Sequence, residues 1–133
     1  MTYNSRAANS YRNTEAQSRT PLELVVMLYD GALRFIAVAR GAIERGDTPA
    51  RAEAVSRALA IVSELQNTLD IEKGGEMAER LDGLYQFVTG RLMDASFTRN
   101  VASLDEASRV LAELRGAWSA IAAGTPPSEG AGR

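Results

Sequence analysis

Few residues in this chain could do chemistry. Its 133 residues include 17 Asp and Glu but neither His nor Cys. The commonest general base and metal ligand is therefore missing, and no thiol is present for nucleophilic or disulfide chemistry. A di-iron carboxylate bundle needs inward glutamates together with Glu-x-x-His pairs, a pattern that cannot be assembled here. Three features remain. Asp30 is the one acid inside a long apolar stretch. At 100° per residue from Leu22 it falls at about 80°, on a polar strip with Glu23, Arg34, Gly41 and Arg45, so it reads as solvated or ion-paired. Gly74-Gly75 could suggest a phosphate cradle before a helix, but neither a strand nor P-loop spacing accompanies it, and a helix-ending turn is the expectation. Glu72, Lys73 and Glu76 read as a local charge network worth about a few tenths of a kcal/mol. No catalytic, metal or cofactor constellation emerges. A formal charge of −2 leaves no electrostatic footprint for nucleic acid, and the apolar runs, such as Val25 to Tyr29, are too short to insert in a membrane.

The elements that must position these residues read as helices throughout. The first opens with Thr20 as N-cap, Pro21 at the first helical position and Glu23 reaching back to the Thr20 amide; Gly46 is its natural stop. Its apolar residues, from Leu22 to Ile43, span an arc of roughly 200°, about twice what a surface helix needs to cover one core. Half of that arc, centred on Val25, Ala32, Ile36 and Ile43, reads as core. The flank through Leu24, Leu28 and Phe35, or the opposite one, is left for something else to cover. Gly31 in mid-helix costs about 1 kcal/mol relative to Ala and reads either as close helix packing or as a notch for another backbone.

Asp47 or Thr48 caps the second helix, which Pro49 starts and which runs to about Asp70. Val55, Leu59, Val62 and Leu69 form its seam, with Ala58, Ile61 and Leu65 beside it. Lys73 is expected near its C-terminus and Gly74-Gly75 in a left-handed turn. Glu76 then falls in the first turn of a third helix, with a seam of Met77, Leu81, Leu84, Val88, Leu92 and Ala95, Tyr85 adjoining, and a loose close at Arg99-Asn100. Ser103 and Glu106 read as a second capping box, opening a fourth helix with a seam of Ala107, Leu111, Leu114, Trp118 and Ile121. Residues 1–19 read as a flexible polar arm, residues 20–123 as the bundle, and residues 124–133 as a disordered Pro/Gly-rich tail. Four helices of similar length with short links predict an all-α protein: an antiparallel up-down-up-down four-helix bundle with an N-terminal arm.

The ordered motifs resemble the flagellar secretion chaperone family FliS. They are Tyr11 in the arm, Ser18-Arg19-Thr20-Pro21 with Leu24, MLYDGALRF from Met27, Gly46-Asp47, and LDIEKGGEMAERLDGLYQF from Leu69, which contains Asp70, Lys73, Gly74, Gly75 and Glu76. Arg91-Leu92 with Ala95, and LAELRGAW ending at Trp118, complete the set. The resemblance implies a bundle without enzymatic activity or cofactor. It implies a cytoplasmic chaperone that holds the C-terminal segment of flagellin and keeps it from polymerising. It also implies delivery to the type III export gate, with FlhA and flagellar regulators as further partners. The family's N-terminal segment, with its Tyr, can lie over part of the binding surface, a role that maps here onto Tyr11. Ala8 stands where relatives carry a larger aliphatic, and Asn4 is followed by Ser5 where an Asn-Pro is common. The expected partner-binding residues are Tyr11, Leu24, Leu28, Tyr29, Phe35, Ile61 and Leu65. The chain is expected to be a monomer or weak dimer; a self-associating structural bundle, with the surplus arcs meeting in a homodimer, is the alternative.

Overall fold

A computed structural model describes residues 19–124 of the chain. Four helices follow one another: α1 (Pro21–Arg45), α2 (Thr48–Asn67), α3 (Ile71–Thr98) and α4 (Val101–Ala122). Among the described residues there is no strand. The links are two or three residues long, too short for anything but antiparallel neighbours. In the ring that results, α1 packs on α2 and α4, and α3 packs on the same two.

Local chemistry sets most boundaries as expected. The Glu23 amide donates to Thr20 Oγ1 at 3.1 Å while the Thr20 amide donates to Glu23 Oε1 at 2.9 Å, closing the capping box at the start of α1. Gly46 at φ 73° ends the helix in the left-handed region, its amide bonding back to Ile43 and that of Asp47 to Ala42. Asp47, rather than Thr48, caps α2 by accepting from the Ala50 amide at 3.1 Å.

Two boundaries differ from expectation. The second helix stops at Asn67 instead of Asp70. Thr68 donates its hydroxyl to the Leu65 carbonyl at 2.7 Å, and Asp70 accepts from the Lys73 amide at 3.1 Å as N-cap of α3. Short polar side chains that bond nearby backbone favour caps over helix interior, so Lys73 sits at a helix start, not an end. The left-handed turn is confined to Gly75, at φ 55° and ψ −135°, a break after the first turn of α3. Glu76 follows it and pairs with Arg80 at 3.5 Å; Arg80, not Lys73, is its partner. In α4 the cap is Asn100, whose side chain accepts from the Ala102 amide at 3.0 Å. Ser103, expected as the cap, is only 1% exposed inside the helix. Its hydroxyl donates to Asp94 at 2.5 Å, and Arg91 reaches both Ser103 and Glu106, at 3.5 and 3.4 Å. The capping-box residues are spent on joining α4 to α3.

The core runs the length of the bundle through Tyr29, Ala32, Ile36 and Ala39 on α1, with Val55, Ala58, Val62 and Leu65 on α2. On the other side stand Tyr85, Val88, Leu92 and Ala95 on α3, with Leu104, Ala107 and Leu111 on α4. Val25 and Ile43, expected at its centre, pack on its margin. In α3 the buried ladder is Ala78, Leu81, Tyr85, Val88, Leu92 and Ala95, with Leu81 only partly covered. The expected seam passed through Met77 and Leu84, both exposed. Two ladders sharing Leu81, Val88, Leu92 and Ala95 compete at 3–4 spacing. The one containing Tyr85 is realised because that hydroxyl finds a partner, Tyr29, across the bundle.

Candidate functional site

Three aromatic side chains carry polar atoms into the middle of the bundle. The Tyr29 and Tyr85 hydroxyls hydrogen-bond to each other across the diagonal of the bundle. Trp118 Nε1 donates to the Tyr29 hydroxyl at 3.1 Å. A buried Tyr or Trp needs such a partner, and here three helices satisfy one another's. Burial pushes both phenols above their ordinary value near 10. For Tyr29 the bonds with Tyr85 and Trp118 partly offset this, whereas for Tyr85 the bond with Tyr29 adds to it. Both hydroxyls stay protonated across the physiological range, which suits them to holding helices together and not to accepting a proton. Among the described residues no group of three or more acids stands close enough to hold a metal ion. None of the helices is long and apolar enough to cross a membrane.

The remaining candidate chemistry is surface recognition, and the two flanks of α1 divide it. One flank is tied to α4 by charge. Arg115 donates to Asp30 through Nε at 2.8 Å and Nη2 at 3.3 Å, and Arg40 donates to Asp105 at 3.1 Å. Asp30 is thus ion-paired, and its bond raises the Arg115 guanidinium further above its ordinary value. The other flank turns to α2 and is apolar. Here Leu28, Phe35 and Ile61 are half-buried and Leu24 is exposed. Gly31 is buried against Ile61: a Cβ placed at Gly31 would lie 3.1 Å from Ile61 Cδ1. The notch therefore admits a side chain of this same chain, and the reading as close helix packing holds.

Of the sequence-derived partner residues, Phe35 and Ile61 meet at the α1–α2 boundary, and Leu24 and Leu28 fall on the same face of α1 as Phe35. Tyr29 and Leu65 do not join them: at 0% and 1% exposure they are core. Tyr11 lies outside the described residues. Of the motif residues, Thr20 and Pro21 open α1, Asp70 opens α3, and Trp118 holds the tyrosine pair. Gly74 is tightly placed, since a Cβ there would come within 2.7 Å of Ala78 Cβ.

Apolar surface also appears where it was not sought. The second helix carries no large exposed apolar side chain among the described residues, while α3 carries Ile71, Met77, Leu84, Phe87, Met93 and Phe97. Met77 is 67% and Phe97 79% exposed. Phe97 and Met93 fall off the 3–4 ladder of α3, a signal that the spacing already contained. On α1, Val38 was likewise missed.

Comparison with known proteins identifies the family. The family model described as Flagellar protein FliS matches residues 3–125. A Campylobacter jejuni protein named flagellar secretion chaperone FliS is 41% identical over 118 residues, covering 89% of this chain and 92% of that protein. The Pseudomonas aeruginosa flagellar secretion chaperone FliSB is 33% identical over 123 residues, 90% of this chain and 98% of its own. A Salmonella typhimurium flagellar secretion chaperone FliS is 37% identical over 105 residues, 78% of each. The ordered motifs and the four-helix frame have a single account: this chain belongs to the FliS family, a family of flagellar secretion chaperones and not of enzymes.

Proposed function

We propose that this protein is a cytoplasmic export chaperone for flagellin. It holds flagellin's C-terminal segment against the bundle, prevents premature polymerisation, and brings the client to the flagellar export gate, where FlhA receives the loaded complex. The observation that carries this reading is the apolar boundary between α1 and α2, where Phe35 and Ile61 meet and Leu24 and Leu28 share the Phe35 face of α1, on a bundle whose core is already complete without a partner. A groove between helices accepts the apolar face of an amphipathic segment. A client that orders on binding has to bury roughly 1,000–3,000 Å² to offset an ordering cost of 2–5 kcal/mol or more, so contacts beyond this one boundary are needed. The exposed residues of α3 and the arm around Tyr11 are the places to seek them. Flagellar regulators that dock on the same residues compete with the client.

Calorimetry with a peptide of the flagellin C-terminal segment tests this directly. Micromolar or tighter binding is expected, and its absence would sink the reading. Replacing Tyr11 with Ala is expected to change the affinity; an unchanged value removes the arm from the mechanism. The exposed apolar residues of α3 favour one rival, a self-associating bundle. Sedimentation of the free chain separates the two: a monomer or weak dimer is expected, and a tight dimer at all concentrations supports the rival.

A further inference from the structure

The groove between α1 and α2 joins an apolar floor to a guanidinium rim. Phe35, Val38 and Ala54 line the floor, with Phe35 half-buried and Val38 47% exposed. Two guanidiniums flank the Phe35 ring: the Cζ of Arg34 lies 6.0 Å from its centroid and that of Arg57 lies 5.9 Å from it. Arg57 is held in place by Glu53, donating through Nε at 3.1 Å and Nη2 at 3.0 Å. Arg34 is exposed, and among the described residues no carboxylate pairs with it. A guanidinium resting on an aromatic ring is weakly hydrated and keeps its planar fork of donors available for a carboxylate.

Charge decides what fits. Arg34 and Arg57 against Glu53 leave a positive excess on the rim of this groove, on a chain whose overall formal charge is −2. These three side chains thus carry the opposite sign to the chain's net charge, and net charge alone would have suggested a partner indifferent to sign. We propose that the groove selects a client segment by a two-point signature. An aliphatic or aromatic side chain rests on the Phe35–Val38 floor, and an acidic residue within one helical turn of it pairs with Arg34. The apolar anchor supplies depth. The carboxylate, taken by the guanidinium fork, sets the direction in which the segment runs, because reversing the segment carries the acid away from the rim. This deepens the chaperone reading above and rests on it.

The test uses the full chain and two peptides: the flagellin C-terminal segment, and the same segment with every Asp and Glu changed to Asn and Gln. At low salt the wild-type chain is expected to bind the amidated segment about tenfold more weakly. Arg34→Glu is expected to weaken binding of the native segment by about tenfold and to erase or invert the preference between the two peptides. Arg34→Gln, which keeps the length of the side chain without its charge, is expected to erase the preference and serves where the charge reversal unfolds the bundle, as judged by circular dichroism. Equal binding of both peptides by the wild-type chain overturns this proposal and leaves the chaperone reading standing. No binding of either overturns both. Arg34-dependent self-association of the free chain in sedimentation would put a second copy in the groove and also overturn the proposal.

Discussion

The first and third helices are both rich in apolar residues, yet they spend them in opposite ways. The arc of α1 is wide, but two neighbours and one boundary groove absorb nearly all of it; only Leu24, Met27 and Val38 remain as large exposed apolar residues. Its ends are closed by a reciprocal capping box and a left-handed glycine. The buried ladder of α3 is narrower, and six large apolar side chains are left outside it. Its start is broken at Gly75 after a single turn. An arc's width, then, does not measure what a helix has to offer a partner. What counts is how much of the arc two packed neighbours can reach, and for α3 the ladder of Ala78, Tyr85 and Val88 directs that reach away from Met77, Leu84 and Phe87.

The contrast between buried and exposed apolar residues of α3 can be broken most forcefully at Leu92. Leu92→Ala is expected to cost 2–5 kcal/mol through lost transfer energy and a residual cavity, whereas Phe97→Ser should stay within about 0.5 kcal/mol. Urea unfolding of both variants checks this, and similar losses would mean that Phe97 is covered. A smaller effect distinguishes glycines of the same helix. Gly75→Ala should destabilise by roughly 1–3 kcal/mol because φ 55° is strained for any residue with a Cβ. Gly83→Ala, where an added Cβ meets nothing within 4 Å, should stabilise by up to about 1 kcal/mol.

The diagonal between the two helices is tested by pH. A phenol whose folded pKa is raised contributes stability that is complete below its unfolded value, near 10, and lost as pH rises above it. Stability should therefore fall on the alkaline side of about pH 10. Tyr85→Phe should flatten that fall and cost about 1 kcal/mol at neutral pH, since the Tyr29 hydroxyl keeps Trp118 as a partner. An unaltered alkaline profile would mean that the pair is solvated. The smallest change is expected at Asp30→Asn. Its ion pair with Arg115 is partly exposed at both side chains, so the loss should lie within about 1 kcal/mol and shrink with added salt. A larger loss would make the charged flank of α1 as important to stability as the apolar one.

Much of this was legible in the chain. Four helices and their antiparallel order follow from periodicity and short links, and the start and stop of α1 from Thr20, Glu23 and Gly46, because caps act over three or four residues. Residue spacing gives α1 more apolar arc than one core needs, but leaves open whether the flank through Leu24, Leu28 and Phe35 or the opposite one lies beyond the core. The break near Gly74-Gly75 was also visible, though not which side of it was helical. Thr68 and Asp70 each had the chemistry to end one helix or start the next, and only the packed chain chooses. The same ambiguity misplaced the fourth helix's cap: Ser103 and Glu106 have the spacing of a capping box, but their side chains are claimed by Asp94 and Arg91 on α3. Tyr29 and Leu65, expected to contact a partner, are core, because a helical wheel reports hydrophobicity and not which side faces the axis.

The sequence by itself determined the class of fold, the absence of thiol and imidazole chemistry, and, through ordered motifs spread along the chain, the family. Those rest on residue identity, local spacing and short-range backbone chemistry. Tertiary structure decided what depends on residues far apart in sequence. It brought Tyr29, Tyr85 and Trp118 into one hydrogen-bonded group, placed Ile61 at the Gly31 notch, and set Arg57 with Arg34 around Phe35. It also decided that, among the described residues, most of the large exposed apolar side chains lie on α3. A seam at 3–4 spacing can slide by one residue at little local cost, and only the partners across the bundle select its register.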